Sequence, residues 1–255
     1  MKTIKNKLPL ISIIMPCFNS ASFVMDAINS VIDQSYKNWE LIVVDDNSLD
    51  DTVHIVSSFA KKNRKIKLIK CSFNHGPAAA RNYALDAASG DYITFLDSDD
   101  LWDSNFLEDM YYFASTNRFK FCYASCRVVD YDSNKILKNN NVVLQTSYLS
   151  MLDFNHIPCL TAFVSRDLIG DLRMEDSLAQ DYIFWLQLLK KIDFAYGNKN
   201  ILATYRVRKK SISRNKIKML IARWRIYRNR EELSFFTSLK HLLSFIINNL
   251  LLFFK

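Results

Sequence analysis

The sequence predicts an α/β protein with a mostly parallel sheet, helices on both faces and a helical tail at its C-terminus. Three features carry that reading. Four short apolar runs, Leu10 to Met15, Trp39 to Val44, Ile66 to Cys71 and Tyr92 to Leu96, have little polar alternation, as strands buried on both faces require. Segments of helical character separate them, the βα alternation of a parallel sheet. The first, second and fourth runs end in polar clusters that carry Asn19, Asp46, Asp97 and Asp99. In open α/β sheets ligands sit beyond the carboxyl ends of the strands, so these clusters mark one site.

Taken in order, Ser20 or Ser22 is placed to cap a helix running to about Ser35, and Asp50 and Asp51 start a second that runs to about Lys61. Pro77 opens a third that runs to Ala87, since proline costs nothing at the first helical position. After residue 100 the pattern predicts a helix over Phe106 to Thr116, a strand over Phe119 to Tyr131 and a polar turn over Asp132 to Asn141. A strand and turn at Phe163 to Ile169 and a helix over Leu178 to Lys191 follow. One or two short strands lie in 192–207, and 214–254 reads as helix in two pieces. The expected division is 1–210 as one domain in two halves, 8–100 and 101–210, and 211–255 as a basic, amphipathic tail.

With 255 residues, 49% of them apolar, the chain can bury a sizeable core. Its net charge of +8 is unevenly spread. Residues 1–205 carry 21 basic against 24 acidic side chains, net −3, whereas 206–255 carry 13 against 2, net +11. A basic segment leading into an apolar one points to anionic lipid rather than nucleic acid. Five scattered cysteines make no disulfide framework and fit a reducing cytosol. Cys122 and Cys126 lack a second pair at zinc-site spacing and read as buried side chains. The basic start of the chain imitates a signal peptide, but Pro9 and Pro16 bracket only six residues, so the run reads as the first strand.

Two carboxylates two residues apart on a tight turn, Asp97 and Asp99, can converge on one hard divalent cation. Alone the pair is weak, because aspartates on turns also satisfy backbone amides. Its company is specific: Ser12-Ile13-Ile14-Met15-Pro16-Cys17-Phe18-Asn19, Val43-Val44-Asp45-Asp46-Asn47-Ser48, Gly76-Pro77-Ala78-Ala79-Ala80-Arg81-Asn82 and Gly90-Asp91-Tyr92, in that order. With these blocks the chain resembles the family 2 glycosyltransferases of bacterial O-antigen and capsular polysaccharide synthesis, over about residues 8–210. The resemblance implies the GT-A fold, a Rossmann-like sheet, and an inverting transfer from a UDP-sugar to a lipid-linked oligosaccharide. It implies that Pro16, Phe18 and Asn19 lie along the nucleotide, that Asp46 accepts from the uracil ring and that Arg81 orients it. Asp97 would face the ribose, with Ser98 beside it. Asp99, with Asp97, would bind Mn²⁺ or Mg²⁺ across the diphosphate. Asp100 would contact the sugar or cap the next helix.

The block Ala179-Gln180-Asp181-Tyr182 resembles the family's acidic motif at a helix start, which makes Asp181 the expected catalytic base and Asp176 its runner-up. An aspartate there also satisfies free helix amides. Tyr205-Arg206-Val207-Arg208 resembles the closing motif, but Arg208 stands where many members have histidine; a guanidinium cannot ligate a metal, though it can grip a diphosphate. Trp102 and Trp185 read as core rather than sugar platforms. From Leu242 to Phe254 the chain is nearly all apolar, yet thirteen helical residues span only about 20 Å, short of a bilayer core. Behind Arg223, Arg225, Arg228 and Arg230, this segment reads as an interfacial helix on the cytoplasmic face of the inner membrane, or as a helix docked on protein.

Overall fold

The computed structural model describes residues 8–207 and 216–251. The first half of the chain runs β1 (Ile11–Cys17), α1 (Val24–Ile32), β2 (Trp39–Asp45), α2 (Thr52–Lys62), β3 (Ile66–Lys70), α3 (Pro77–Ala87) and β4 (Tyr92–Phe95). Then come β5 (Leu101–Trp102), α4 (Phe106–Asn117), β6 (Phe121–Asp130), β7 (Ile136–Asn140), β8 (Gln145–Thr146), α5 (Tyr148–Asp153), a 3-10 turn (Cys159–Thr161), β9 (Phe163–Ser165) and α6 (Arg166–Ile169). The chain continues through α7 (Gln180–Leu189), β10 (Ala195–Val207), α8 (Lys216–Arg225), which passes into a π-turn over Ile226–Arg230, and α9 (Phe235–Leu251).

The strands form one sheet in the order β3-β2-β1-β4-β9-β6-β10-β5, with β7 on β6 and β8 on β10. β1 pairs in parallel with β2 and β4, and β2 with β3, so the carboxyl ends of the first four strands share one edge. The parallel array is interrupted once: β9 runs antiparallel between β4 and β6. Beyond it β6 and β10 are again parallel. The two-residue alternation of a strand divides the core. Ile13, Met15, Leu41 and Val43 belong to the layer with Val24, Ile28 and Phe106, whereas Ile14, Ile42 and Val44 belong to the layer with Ala84, Phe184 and Trp185. Trp102 and Trp185 are both core residues, as expected.

Two elements differ from the sequence reading, and two that it left open take one form. Neither Ser20 nor Ser22 caps α1 through its side chain; the Ser20 carbonyl receives the Phe23 and Val24 amides instead, at 2.9 Å each. The expected polar turn contains β7, an edge strand whose residues are all exposed, so no apolar alternation announces it. Residues 195–207 form one strand, with register shifts between Asn198, Ile201 and Ala203. The tail packs on the rest of the chain. His241 of α9 pairs with Asp153 at the end of α5 at 2.8 Å, the Tyr227 hydroxyl donates to the Leu152 carbonyl, and Arg230 pairs with Glu175 at 2.7 Å. Its arginines therefore do not form a single outward basic face.

Candidate active site

The loop after β1 turns sharply at Asn19, which adopts φ +49°, and the loop after β2 does so at Asn47, φ +63°. Asparagine tolerates this left-handed conformation better than most residues. The two loops are tied together. Asn19 accepts the Leu49 amide through Oδ1 at 2.9 Å and gives its own amide to Ser48 Oγ at 2.9 Å, and the Ser20 amide donates to Thr52 Oγ1 at 2.7 Å. Pro16 is half-buried, and Phe18 and Asn19 are exposed on the rim, open to a ligand. Asp46 is buried and is used internally: its oxygens accept the His75 and Gly76 amides at 2.9 and 2.7 Å, which fixes the loop before α3. A contact with a base ring would have to use a second lone pair on one of those oxygens.

The acidic turn after β4 divides into inward and outward groups. Ser98 is buried, its hydroxyl 2.8 Å from that of Ser20, and Asp100 is buried with Oδ1 accepting the Arg206 amide at 2.8 Å. Both side chains thus make turn-building contacts. Burial, with Asp99 and Asp97 beside it, pushes the Asp100 carboxyl well above the usual aspartate range. Asp97 and Asp99 remain partly exposed. Asp97 pairs with Arg81, which rises from α3 with its side chain only 7% exposed. Burial opposes the guanidinium charge, but Asp97, Cys159 and Asp181 outweigh it. Arg81 is therefore a buried cation paired with the acidic turn.

Asp181 sits in the first turn of α7, partly exposed. Burial raises its carboxyl above the usual range and the nearby Asp97 adds to that, while the Tyr182 amide, Arg81 and Arg223 pull the other way. Cys159, on the 3-10 turn, feels the charges of Arg81, Asp97, Asp181 and Asp100, which marks it as a neighbour of all four; its thiol is pushed up, chiefly by burial. The structure thus gathers Arg81, Asp97, Cys159 and Asp181 from four separate elements. Asp176 precedes α7 and is exposed. Arg208 lies outside the described residues.

Two side chains to which sequence reasoning assigned no place in the site support it. Arg206 of β10 is 7% exposed, gives Nε to the Asp99 carbonyl, meets Asp26 at 3.2 Å and lies over the rings of Phe23 and Tyr131 at 5.9 and 5.6 Å. It clamps the acidic turn to α1, and its place in the closing motif was the available signal. Arg223 of α8 sits over the Tyr182 ring, and in a basic run nothing distinguished it from a solvated charge. As for a divalent cation, among the described residues no three His, Cys, Asp or Glu side chains gather in a ligand set. The half-open Asp97 and Asp99 nevertheless fit one: hard cations with nucleotide substrates take one or two carboxylates and complete their shell with phosphate oxygens and water.

A family model described as glycosyl transferase family 2 matches residues 12–174. The chain belongs to glycosyltransferase family 2. It is 37% identical over 89% of its length to TuaG of Bacillus subtilis, a glycosyltransferase provisionally named for teichuronic acid biosynthesis, 90% of which is covered. It is 36% identical to WfgD of Escherichia coli, a UDP-Glc:alpha-D-GlcNAc-diphosphoundecaprenol beta-1,3-glucosyltransferase, over 84% of each chain. The fold is GT-A: TarS 1-349 of S. aureus, solved with UDP-GlcNAc, superposes with a TM-score of 0.72 at 20% identity, covering 92% of this chain and 71% of that one. The family match spans the first, acidic half of the site and ends before Asp181 and the closing motif.

Proposed function

We propose that this family 2 glycosyltransferase moves a hexose from UDP-glucose or UDP-galactose to a sugar on undecaprenyl diphosphate, inverting the anomeric centre to form a β-linkage. One observation carries the reading: Asp181, a carboxyl raised by its surroundings, and the half-open Asp97 both bear on the buried Arg81, with which Asp97 pairs directly. WfgD, similar over most of both chains, acts on a lipid diphosphate acceptor with UDP-glucose, which supports the donor and acceptor classes.

Asp181 accepts the proton of the acceptor hydroxyl as that oxygen attacks the anomeric carbon. Direct displacement needs no covalent sugar intermediate and turns an α-linked donor into a β-linked product. Phe18, Asn19 and Pro16 line the nucleotide side. Asp97 and Asp99 would hold Mn²⁺ or Mg²⁺, which supplies positive charge for the departing diphosphate. A mannosyltransferase of the same fold from Pyrobaculum calidifontis, matched with a TM-score of 0.67, was solved with GDP-Man and Mn²⁺. Arg206 keeps Asp99 and Asp100 in place from behind.

The tail adds location. Among the described residues no helix is long and apolar enough to cross a membrane. α9 instead exposes Phe236, Leu239, Leu243 and Ile247 at helical spacing beside Lys240, which supports contact with the anionic cytoplasmic face where lipid-linked acceptors reside. The deciding assay presents UDP-glucose and UDP-galactose with a synthetic lipid-diphosphate N-acetylhexosamine and reads the anomeric coupling of the product by NMR. Turnover with a β-linked product is expected; an α-linked product overturns the assignment of Asp181. A nucleotide-sugar-binding scaffold without catalysis would bind UDP and transfer nothing.

A further inference from the structure

Arg223 lies in an unusual place for a basic side chain. It is 5% exposed, its guanidinium carbon stands 3.5 Å from the centre of the Tyr182 ring and 4.5 Å from that of Phe245, and its Nη1 is buried without a hydrogen-bond partner among the described residues. It is therefore a cation held between Tyr182 in the first turn of α7 and Phe245 of α9. Taking such a charge out of water is costly unless something of opposite sign compensates it. The aromatic faces supply part of that. The rest is available one residue away from Tyr182, at Asp181.

We propose that Arg223 is a positioning residue for the catalytic base, so that the C-terminal helical pair completes the active site rather than merely locating the enzyme. The inference rests on the reading of Asp181 given above. The charged and titratable groups facing Asp181 are Arg81 from α3, Asp97 from the turn after β4, Cys159 from the 3-10 turn and Arg223 from α8. Arg81 is already engaged by Asp97, which leaves Arg223 as the cation whose field falls on Asp181 undivided by a carboxylate partner of its own among the described residues. By stacking on Tyr182 it fixes the turn that aims the Asp181 carboxylate, and it favours the ionised form that accepts a proton. Its own position is fixed by the bonds that seat the tail, Tyr227 to Leu152 and His241 to Asp153.

The test compares Arg223→Gln and Arg223→Lys with the parent and with Asp181→Asn, measuring kcat, donor KM, UDP affinity and the pH dependence of kcat. Glutamine keeps a planar head but no charge. Arg223→Gln should lose about tenfold or more in kcat, leave donor KM and UDP affinity within about twofold, and move the acid limb of the pH profile upward. Lysine keeps the charge but cannot stack flat, so the limb should stay in place while kcat falls a few-fold. Parent-like kcat and acid limb in Arg223→Gln overturn the proposal, as does a loss of UDP affinity equal to the loss of kcat. If Arg223→Gln does not fold, parent-like kcat in Arg223→Lys overturns it instead. An active Asp181→Asn refutes the base assignment itself, whereas an inactive Asp181→Asn beside a parent-like Arg223→Gln refutes Arg223 alone.

Discussion

Asp181→Asn preserves shape and removes basicity, so transfer should fall by about 100-fold or more while UDP affinity is kept, as calorimetry with UDP would check. The sign of the pH dependence follows from the environment. Burial and Asp97 raise the Asp181 carboxyl, and a protonated carboxyl cannot take a proton, so the rate should fall with decreasing pH through a value above the ordinary aspartate range. An acid limb at or below that range would contradict it. Asp99→Ala should lower metal-stimulated turnover by orders of magnitude with the fold intact, because the Asp99 contact with Arg206 runs through a main-chain carbonyl that alanine keeps; unchanged turnover in excess chelator would remove the metal from the reaction. At this scale the sequence was legible where a side chain's position depends on its strand end, as with Phe18, Asn19, Asp97 and Asp99. It was not legible where partners are distant: Ser98 turns toward Ser20, Asp100 toward Arg206, and Arg223 toward Tyr182, each over dozens of residues of chain.

Among the elements, β1, β2 and β4 depend on one buried polar knot at the edge opposite the site. Glu40 Oε1 accepts from Ser12 Oγ at 2.6 Å and from the Ser89 amide at 2.7 Å, Lys67 pairs with Oε2, and the Gly90 amide donates to Ser12 Oγ at 2.8 Å. Burial opposes the Glu40 charge, yet Lys67, Ser12 and Ser89 together hold its carboxyl at about 2. The folded value lies below the unfolded one, so this stabilisation is present above about pH 4.5 and is lost as pH falls toward about 2. Glu40→Gln should cost about 1–3 kcal/mol at neutral pH in urea titrations and flatten that acid dependence. Gly90→Ala should also destabilise, since a Cβ there would stand 2.7 Å from the Leu10 carbonyl and the Ser12 amide. The first four strands could be read from apolar runs bounded by polar ends. The later ones could not: β5 and β8 have two residues each, β7 is exposed throughout, and β10 carries Asn198, Lys199 and Asn200 at a shift in register.

For the whole molecule, the docked tail reverses the simplest expectation for its removal. Truncation after Glu232 takes away His241 and Phe245, so the shortened chain should lose turnover even on a water-soluble acceptor and melt at a lower temperature; full activity would mean that the seat of α9 is incidental. Replacing Leu239, Leu243 and Ile247 by serine leaves those inner contacts alone and should abolish binding to anionic vesicles with soluble turnover spared. The pairing of β6 with β10 has a different consequence. These two strands lie side by side in parallel, from Cys122 with Tyr196 to Asp130 with Val207, although more than sixty residues of chain separate them. That intervening excursion carries α5, the 3-10 turn, β9 and α7, while the β1–β4 array and its acidic turn lie wholly outside it. The excursion is woven through the sheet: parallel pairing puts its exit at one end of that seam and its return at the other, and β9 comes back between β4 and β6. Exchanging it between relatives should therefore lower the melting temperature of the chimera unless the β4 and β6 faces that receive β9 are exchanged with it.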